Sequence, residues 1–252
     1  MENKRYLKAF SSQADYDAQK DEVMGVPHVV LLEDTKEVVY KPLKEEPSDP
    51  FNGHEYVDLG LPSGTLWATK AVGAESEEDY GLYFAWGSTE GYTSEEAAND
   101  FIFGTSGNEV GSGVPYMADA NTPTKYNHED GKTVLDLEDD AAHVHMGGDW
   151  HMPTKEQLEE LTANTISTWT TMNGVNGRLF TSKTNGNTLF VPATGNASRG
   201  GVYNVGSYGY VWSSSVNEES LSYAWRLYFY SSYVLVSDNS RTSGQVAFGV
   251  VG

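Results

Sequence analysis

The segment Ala224–Asp238, "AWRLYFYSSYVLVSD", decides how the rest of the chain is read. At period two, Trp225, Leu227 and Phe229 fall on one face, and Arg226, Tyr228 and Tyr230 on the other. After Ser231 and Ser232 the alternation resumes: Val234 and Val236 continue the apolar side, Tyr233, Leu235 and Ser237 the other. A two-residue turn sends its flanking side chains to the same side, so Tyr230 and Tyr233 are expected to be cross-strand neighbours. The outer face then reads Arg, Tyr, Tyr, Tyr, Leu, Ser. Tyrosine and arginine enrichment is the composition of a binding surface rather than of a solubilising one. The alternative is a β-rich core, since tyrosine is also a good strand former.

Charge sets the frame around this hairpin. The chain has 252 residues and a formal charge of −20, which disfavours nucleic acid as a partner. Residues 199–252 hold Arg199, Arg226 and Arg241 against Glu218, Glu219 and Asp238, so they sum to zero and the negative excess lies upstream. A neutral, Tyr- and Ser-rich zone thus sits on an acidic body that resists casual association. The absence of cysteine excludes disulfides, thiol catalysis and Cys-ligated zinc. No apolar run approaches the about 20 residues of a membrane span, so no membrane insertion is expected. "MENKRYLKAF" lacks the apolar core of a signal peptide.

Residues 1–47 are expected to form a small β-α-β-β unit with a linker. "KRYLKAF", "PHVVLLED" and "KEVVYKP" are its strands, and "SQADYDAQKDEVMG" is a helix with Gly25 past its end. Residues 48–252 are expected to form the main domain. In it, "TKEQLEELTAN" is the clearest helix, with Thr154 and Gln157 as a capping box and Leu158 and Leu161 on one face. Residues 88–140 are polar and read as long loops. After Trp169 the chain reads as short strands between Gly, Asn and Ser turns.

Three clusters were weighed for chemistry. His143 and His145, with His151 nearby, would share a strand face at i, i+2 as metal ligands, but no third ligand is fixed, and ordinary packing histidines are the plainer reading. The acidic runs Glu75–Asp79, Glu95–Asp100 and Glu138–Asp140 lack the alternating pattern of a calcium loop and read as solvated. The serines of "WSSS" (212–215) have no His–Asp system near them in sequence, and no Gly-rich phosphate loop is present. No catalytic residue, metal ligand or cofactor is therefore assigned, and the chain is expected not to be an enzyme.

In order along the chain, "YVDLGLPSGTLWATKAVG", "GLYFAWG", "GGDWHMPTKEQLEEL", "WTTMNGVNGRLF", "LFVPATGNASRGG" and "GYVWSSS" followed by "AWRLYF" cover roughly residues 54–252. This set resembles the C-type-lectin-like domains of gut Bacteroidales and their phages, relatives of the formylglycine-generating-enzyme type. Two places depart from the pattern. "GQVAFGVVG" has Phe248 and Gly249 where Arg and Pro or Cys are usual, and His145 and His151 replace Trp and Arg.

The resemblance implies an α+β class: a C-type-lectin-like fold with short twisted strands, few helices and long ordered loops, with a small N-terminal α+β unit. Trp67, Trp86, Trp150, Trp169, Trp212 and Trp225 would form or edge its core. Some members are variable proteins of diversity-generating retroelements, in which codons rewritten at adenines yield Tyr, Asn, Ser, Asp, Arg or Leu but not Trp, Glu, Gln, Lys or Met. On this implication the variable, ligand-binding face comprises Tyr203, Asn204, Tyr208, Tyr210, Asn217, Tyr223 and Arg226. It continues through Tyr228, Tyr230, Tyr233, Leu235, Ser237, Asp238, Asn239 and Arg241. The implied partner is a protein or glycan on a cell surface. A second copy or a phage-tail protein could be held through the N-terminal unit, and the location would be a virion or a cell surface. A fixed structural or adhesive domain of the same fold is the alternative.

Overall fold

The structure is a computed structural model. It describes residues 6–10, 28–32 and 37–41, then 51–99, 101–105 and 109–252. The chain divides into two compact units, Met1–Pro50 and Phe51–Gly252.

In the first unit, β1 (Tyr6–Phe10), β2 (His28–Leu32) and β3 (Glu37–Lys41) form one sheet in that order. β1 and β2 run parallel, β2 and β3 antiparallel. The helix expected in residues 12–25 and the turn at Asp34 and Thr35 lie outside the described residues.

The second unit opens with β4 (Tyr56–Asp58), β5 (Leu66–Ala71), β6 (Tyr83–Ala85), helix α1 (Ser94–Asn99), β7 (Met117–Asp119) and β8 (Thr122–Pro123). Helices α2 (Ala141–Met146) and α3 (Lys155–Asn164) follow. Then come β9 (Thr165–Met172), β10 (Val175–Ser182), β11 (Thr188–Pro192), β12 (Asn196–Ser198) and β13 (Gly201–Tyr203). The last stretch holds β14 (Tyr208–Val216), β15 (Tyr223–Tyr230), β16 (Tyr233–Ser240), β17 (Gly244–Val246) and β18 (Phe248–Val251).

The α+β, C-type-lectin-like class expected from the sequence is corrected: the protein is β-rich and built on largely antiparallel sheets. Among the described residues eighteen strands stand against three α-helices, of which the longest has ten residues. The physical reason is local. Period-two segments rich in Val, Thr, Tyr and Phe, broken by Gly and Asn turns, satisfy their backbone groups in ladders. Among the described residues the polar stretch 88–140 contributes turns and short pairings, with α1 as its α-helix and a 3-10 turn at Leu137–Asp139.

The central sheet has the order β13-β12-β17-β14-β15-β16, with β6 also paired to β17. It is buried differently along its two faces. On one face Val211, Leu227, Phe229 and Val246 join Trp67, Leu158, Leu161 and Phe180 in a first core. On the other, Phe84, Trp86, Trp212 and Ala224 join Tyr126, Met146 and Trp150 in a second. Helix α3 has the capping box between Thr154 and Gln157, and buries Leu158 and Leu161. Two further sheets, β11-β10-β9 and β18-β5-β4, flank this arrangement. The segment that departs from the resembled pattern lies at the centre. β17 fits between β12 and β14, and β18 pairs with β5. A Cβ on Gly249 would come within 2.5 Å of Met146 Sδ and 2.9 Å of the Trp150 ring, so a larger residue there must displace both from the second core.

Candidate functional site

The second core covers only part of its sheet face. Trp212 and Ala224 lie beneath it. Toward the tip of the hairpin the same face, at the parity of Trp212, carries Tyr208 and Tyr210 on β14 and Arg226, Tyr228 and Tyr230 on β15. Register pairs Tyr208 with Tyr230, Tyr210 with Tyr228 and Trp212 with Arg226. β16 adds Tyr233 opposite Tyr230, Leu235 opposite Tyr228 and Ser237 opposite Arg226.

These side chains form a continuous array. Ring centroids are 5.3 Å apart for Tyr210 and Tyr228, 6.0 Å for Tyr208 and Tyr228, and 6.3 Å for Tyr208 and Tyr210. All three pairs are close to parallel, with interplanar angles of 23°, 9° and 15°. Tyr230 extends the row at 5.9 Å from Tyr228, and Tyr233 lies 6.1 Å further on. The Arg226 guanidinium lies 4.7 Å from the Tyr210 ring centre and 5.4 Å from that of Tyr228, a double cation–π contact. Exposure grades from 8% at Tyr210 to 51% at Tyr233.

The array is held from behind. Phe229, opposite Gly209, lies so close that a Cβ there would be 1.9 Å from its ring. Glycine between two tyrosines therefore makes room for the aromatic core. The turn is clamped from the neighbouring sheet: buried Arg178 donates to Tyr230 O from Nε and Nη2 at 3.1 and 3.0 Å, and to Ser231 O at 3.3 Å. Its Nη1 donates to Ser167 Oγ at 2.8 Å. Fixed backbone beneath partly open side chains is what preorganises a contact surface.

Electrostatics follow burial. Desolvation raises the Tyr210 and Tyr228 phenols above their ordinary value, so both remain neutral hydroxyls, donors as well as acceptors, at neutral pH. Desolvation pulls the Arg226 guanidinium down to about 10, against the neighbouring phenols and Asp238, and it stays a cation at neutral pH. Beside Arg226 a depression of about 230 Å³ is lined by Asn196, Ser198, Tyr203, Asn204, Tyr210, Asn239 and Ser243.

The sequence-derived residues thus separate. Tyr208, Tyr210, Arg226, Tyr228, Tyr230, Tyr233, Leu235 and Ser237 share one face, and Tyr203, Asn204 and Asn239 border its depression. Asn217 and Asp238 do not belong to it: they bond each other at 2.7 Å. By register they lie toward the Trp225 side, where Lys155 Nζ sits 4.4 Å from the Trp225 ring centre. Tyr223 has the parity of Trp225, opposite Ser240. Arg241 is fully buried and donates to Lys125 O and Leu221 O. These four positions are corrected. Tyr223 and Asp238 fall on that side by plain period two, since the β15–β16 register runs unbroken; Asn217 follows the bulge between Trp212 and Val216, and Arg241 lies beyond the last hairpin strand. Trp212, expected to form or edge the core, lies under the second core on the same face as the tyrosines, and Trp225 is half-buried. Asn196, Ser198, Ser243 and the Arg178 clamp were missed. Asn196 and Ser198 stand out in the sequence only as "NAS", and Arg178 carries no local signal.

The other clusters serve structure. His143 and His145 lie on α2, not on a strand. His143, His145 and His151 contact the carbonyls of Trp150, Thr89 and Met152. Carboxylate oxygens of Asp136, Glu138 and Asp139 gather within 4.8 Å of one another. Lys125 Nζ bridges all three, at 3.2, 3.5 and 2.5 Å, and Lys132 Nζ adds a second cation on Asp136. Among the described residues no helix is long and apolar enough to cross a membrane.

A family model described as a domain of unknown function (DUF8237) matches residues 159–247, a stretch that spans the tyrosine array and its depression. No curated protein and no solved structure matches the chain. Over that stretch the protein is similar to a family to which no activity is attached.

Proposed function

We propose that this protein is a non-enzymatic ligand-binding protein whose recognition surface is the tyrosine face of β14, β15 and β16. It captures a protein or glycan of a cell surface, displayed from a virion or another cell. One observation carries the reading: five tyrosine rings in mutual contact around Arg226, on the open part of a sheet face whose reverse side is packed core. Tyrosine supplies large contact area at low rotamer-entropy cost, and asparagine and serine around it adapt their hydrogen bonds. Because the inward residues hold the fold, outward ones can change without loss of the scaffold. We further propose that this outward set is what a diversity-generating retroelement rewrites.

Binding to intact Bacteroidales cells, read by flow cytometry, tests the surface. Tyr228→Ala and Tyr230→Ala are expected to weaken it by tenfold or more, the scale of a hot spot of about 1–3 kcal/mol, with folding retained. Undiminished cell binding would remove this face from the function. Diversification has its own test in the gene's neighbourhood. A template repeat that differs from codons 203–239 only at adenines, beside a reverse-transcriptase gene, is expected; a template with changes at other bases would reject it and leave a fixed adhesive surface.

A further inference from the structure

Arg226, on the tyrosine face, is provisioned unlike the buried arginines Arg178 and Arg241. Its Nε is sealed from solvent without a hydrogen-bond partner, as is that of Arg241, but its terminal nitrogens differ. Among the described residues no carboxylate lies within ion-pairing distance of it, and no hydrogen bond engages the guanidinium. Arg178 and Arg241, by contrast, spend their terminal nitrogens on backbone carbonyls. A half-buried cation stacked on Tyr210 and Tyr228 keeps most of its hydrogen-bonding capacity. It borders the depression of about 230 Å³ described above.

The lining of that depression narrows the chemistry. Asn196, Asn204 and Asn239 supply amides, and Ser198 and Ser243 hydroxyls. The buried Asn196 Oδ1 is itself without a partner. Groups that both donate and accept suit a ligand densely set with hydroxyls. The volume falls below the roughly 300–1,000 Å³ of drug-sized pockets, which limits the guest to one small unit. A guanidinium fork is matched by a planar carboxylate.

We propose that the depression beside Arg226 binds the carboxylate of an acidic sugar, a single uronic- or sialic-type residue at the end or edge of a glycan, with the asparagine amides on its hydroxyls. The proposal rests on the tyrosine face being the binding surface and assigns a ligand class to it. The chain's overall charge of −20 disfavours anions at long range, but residues 199–252 are neutral in sum and the contact is short-ranged.

The test titrates the intact chain with sodium glucuronate, glucose and sodium glutamate, followed by amide chemical shifts. Glucuronate is expected to bind at least tenfold more tightly than glucose and than glutamate, with shifts at Arg226, Asn204 and Asn239. Arg226→Gln is expected to abolish that preference. Asn239→Asp, which keeps the arginine but places a carboxylate in the depression, is expected to do the same and covers the case in which Arg226→Gln misfolds. Equal binding of glucose and glucuronate, or a preference that survives both substitutions, overturns the proposal. Glutamate binding as tightly as glucuronate overturns the sugar and points to an acidic protein side chain. If glucuronate fails while Tyr228→Ala still abolishes cell binding, only the acidic sugar is refuted. If Tyr228→Ala leaves cell binding intact, the surface reading itself fails.

Discussion

Arg226 and Arg241 stand on the same side of one sheet, each against aromatic rings, and burial lowers both guanidinium groups to about 10. Around Arg241 the enclosure is complete. Its guanidinium lies 4.5 Å from the Trp86 ring centre and 6.0 Å from that of Tyr126, and its terminal nitrogens reach the carbonyls of Lys125 and Leu221. Around Arg226 the second core has ended, and the same chemistry faces an open depression. Residue type is therefore no guide to role here. What distinguishes scaffold from site is whether segment 84–150 covers the sheet at that point.

Substitutions can break or sharpen this contrast. The largest effect is expected from Arg241→Met. It strands two half-buried carbonyls, each unsatisfied group costing about 1–3 kcal/mol, and empties the fully buried site of the guanidinium, so urea denaturation should show a loss of about 3–5 kcal/mol at unchanged m-value. A loss below about 1 kcal/mol would mean that the sealed region is no more demanding than the open one. Gly209→Ala is expected to cost about 2–3 kcal/mol, because the new methyl meets the Phe229 ring and must displace it from the core. That result would show how tightly the open face is held from beneath.

Lys125→Met addresses the wall of the sealed region. Burial raises the Asp139 carboxyl, but its bonds from Lys125, Tyr116 and Tyr126 outweigh this and hold it below its ordinary value. The Lys132 bond, followed by Lys125, lowers Asp136 against desolvation. Carboxyls depressed in the folded state stabilise it above their unfolded pKa, and this contribution disappears as pH falls through the folded values. The variant is thus expected to lose about 1–3 kcal/mol at pH 7, with the deficit shrinking below about pH 4. A deficit that is constant with pH would assign the lysine a packing role only. The smallest stability effect belongs to the most open ring. Tyr233→Ala should shift unfolding by no more than about 0.5 kcal/mol while weakening ligand capture, so a large stability loss would show that the array is a core.

Much of the hairpin was legible because period two is read directly from residues: the pairing of Tyr230 with Tyr233 and the separation of Tyr228 from Leu227 and Phe229 need only alternation and a two-residue turn. Helix α3 was legible through Thr154 and Gln157, since both halves of a capping box are local. Placing Tyr223 and Asp238 on the tyrosine face goes against the alternation itself, which sets them with Trp225 and Val236 in an unbroken register, whereas Asn217 lies just past a bulge in β14 that no local pattern announces. His143 and His145 misled because i, i+2 means one face only on a strand, whereas Asp140 caps a short helix there by accepting from His143 N. The fold class failed for a related reason. Motif order conveys resemblance, but strand order in the sheet depends on long-range pairings that no window contains. Arg178 illustrates the same limit, since its partners lie 52 and 53 residues away.

The threading of β17 and β18 through the middle of the molecule governs how the protein is made. Val246 pairs with Tyr83 and Val250 with Trp67, so residues separated by most of the main unit must meet before either sheet closes. Such non-local pairing makes folding slow. On the ribosome, strands β5 and β6 emerge long before β18 and β17 and wait with an unpaired edge. Synthesis rate and chaperone supply, more than final stability, are therefore expected to set the yield of this protein in a cell.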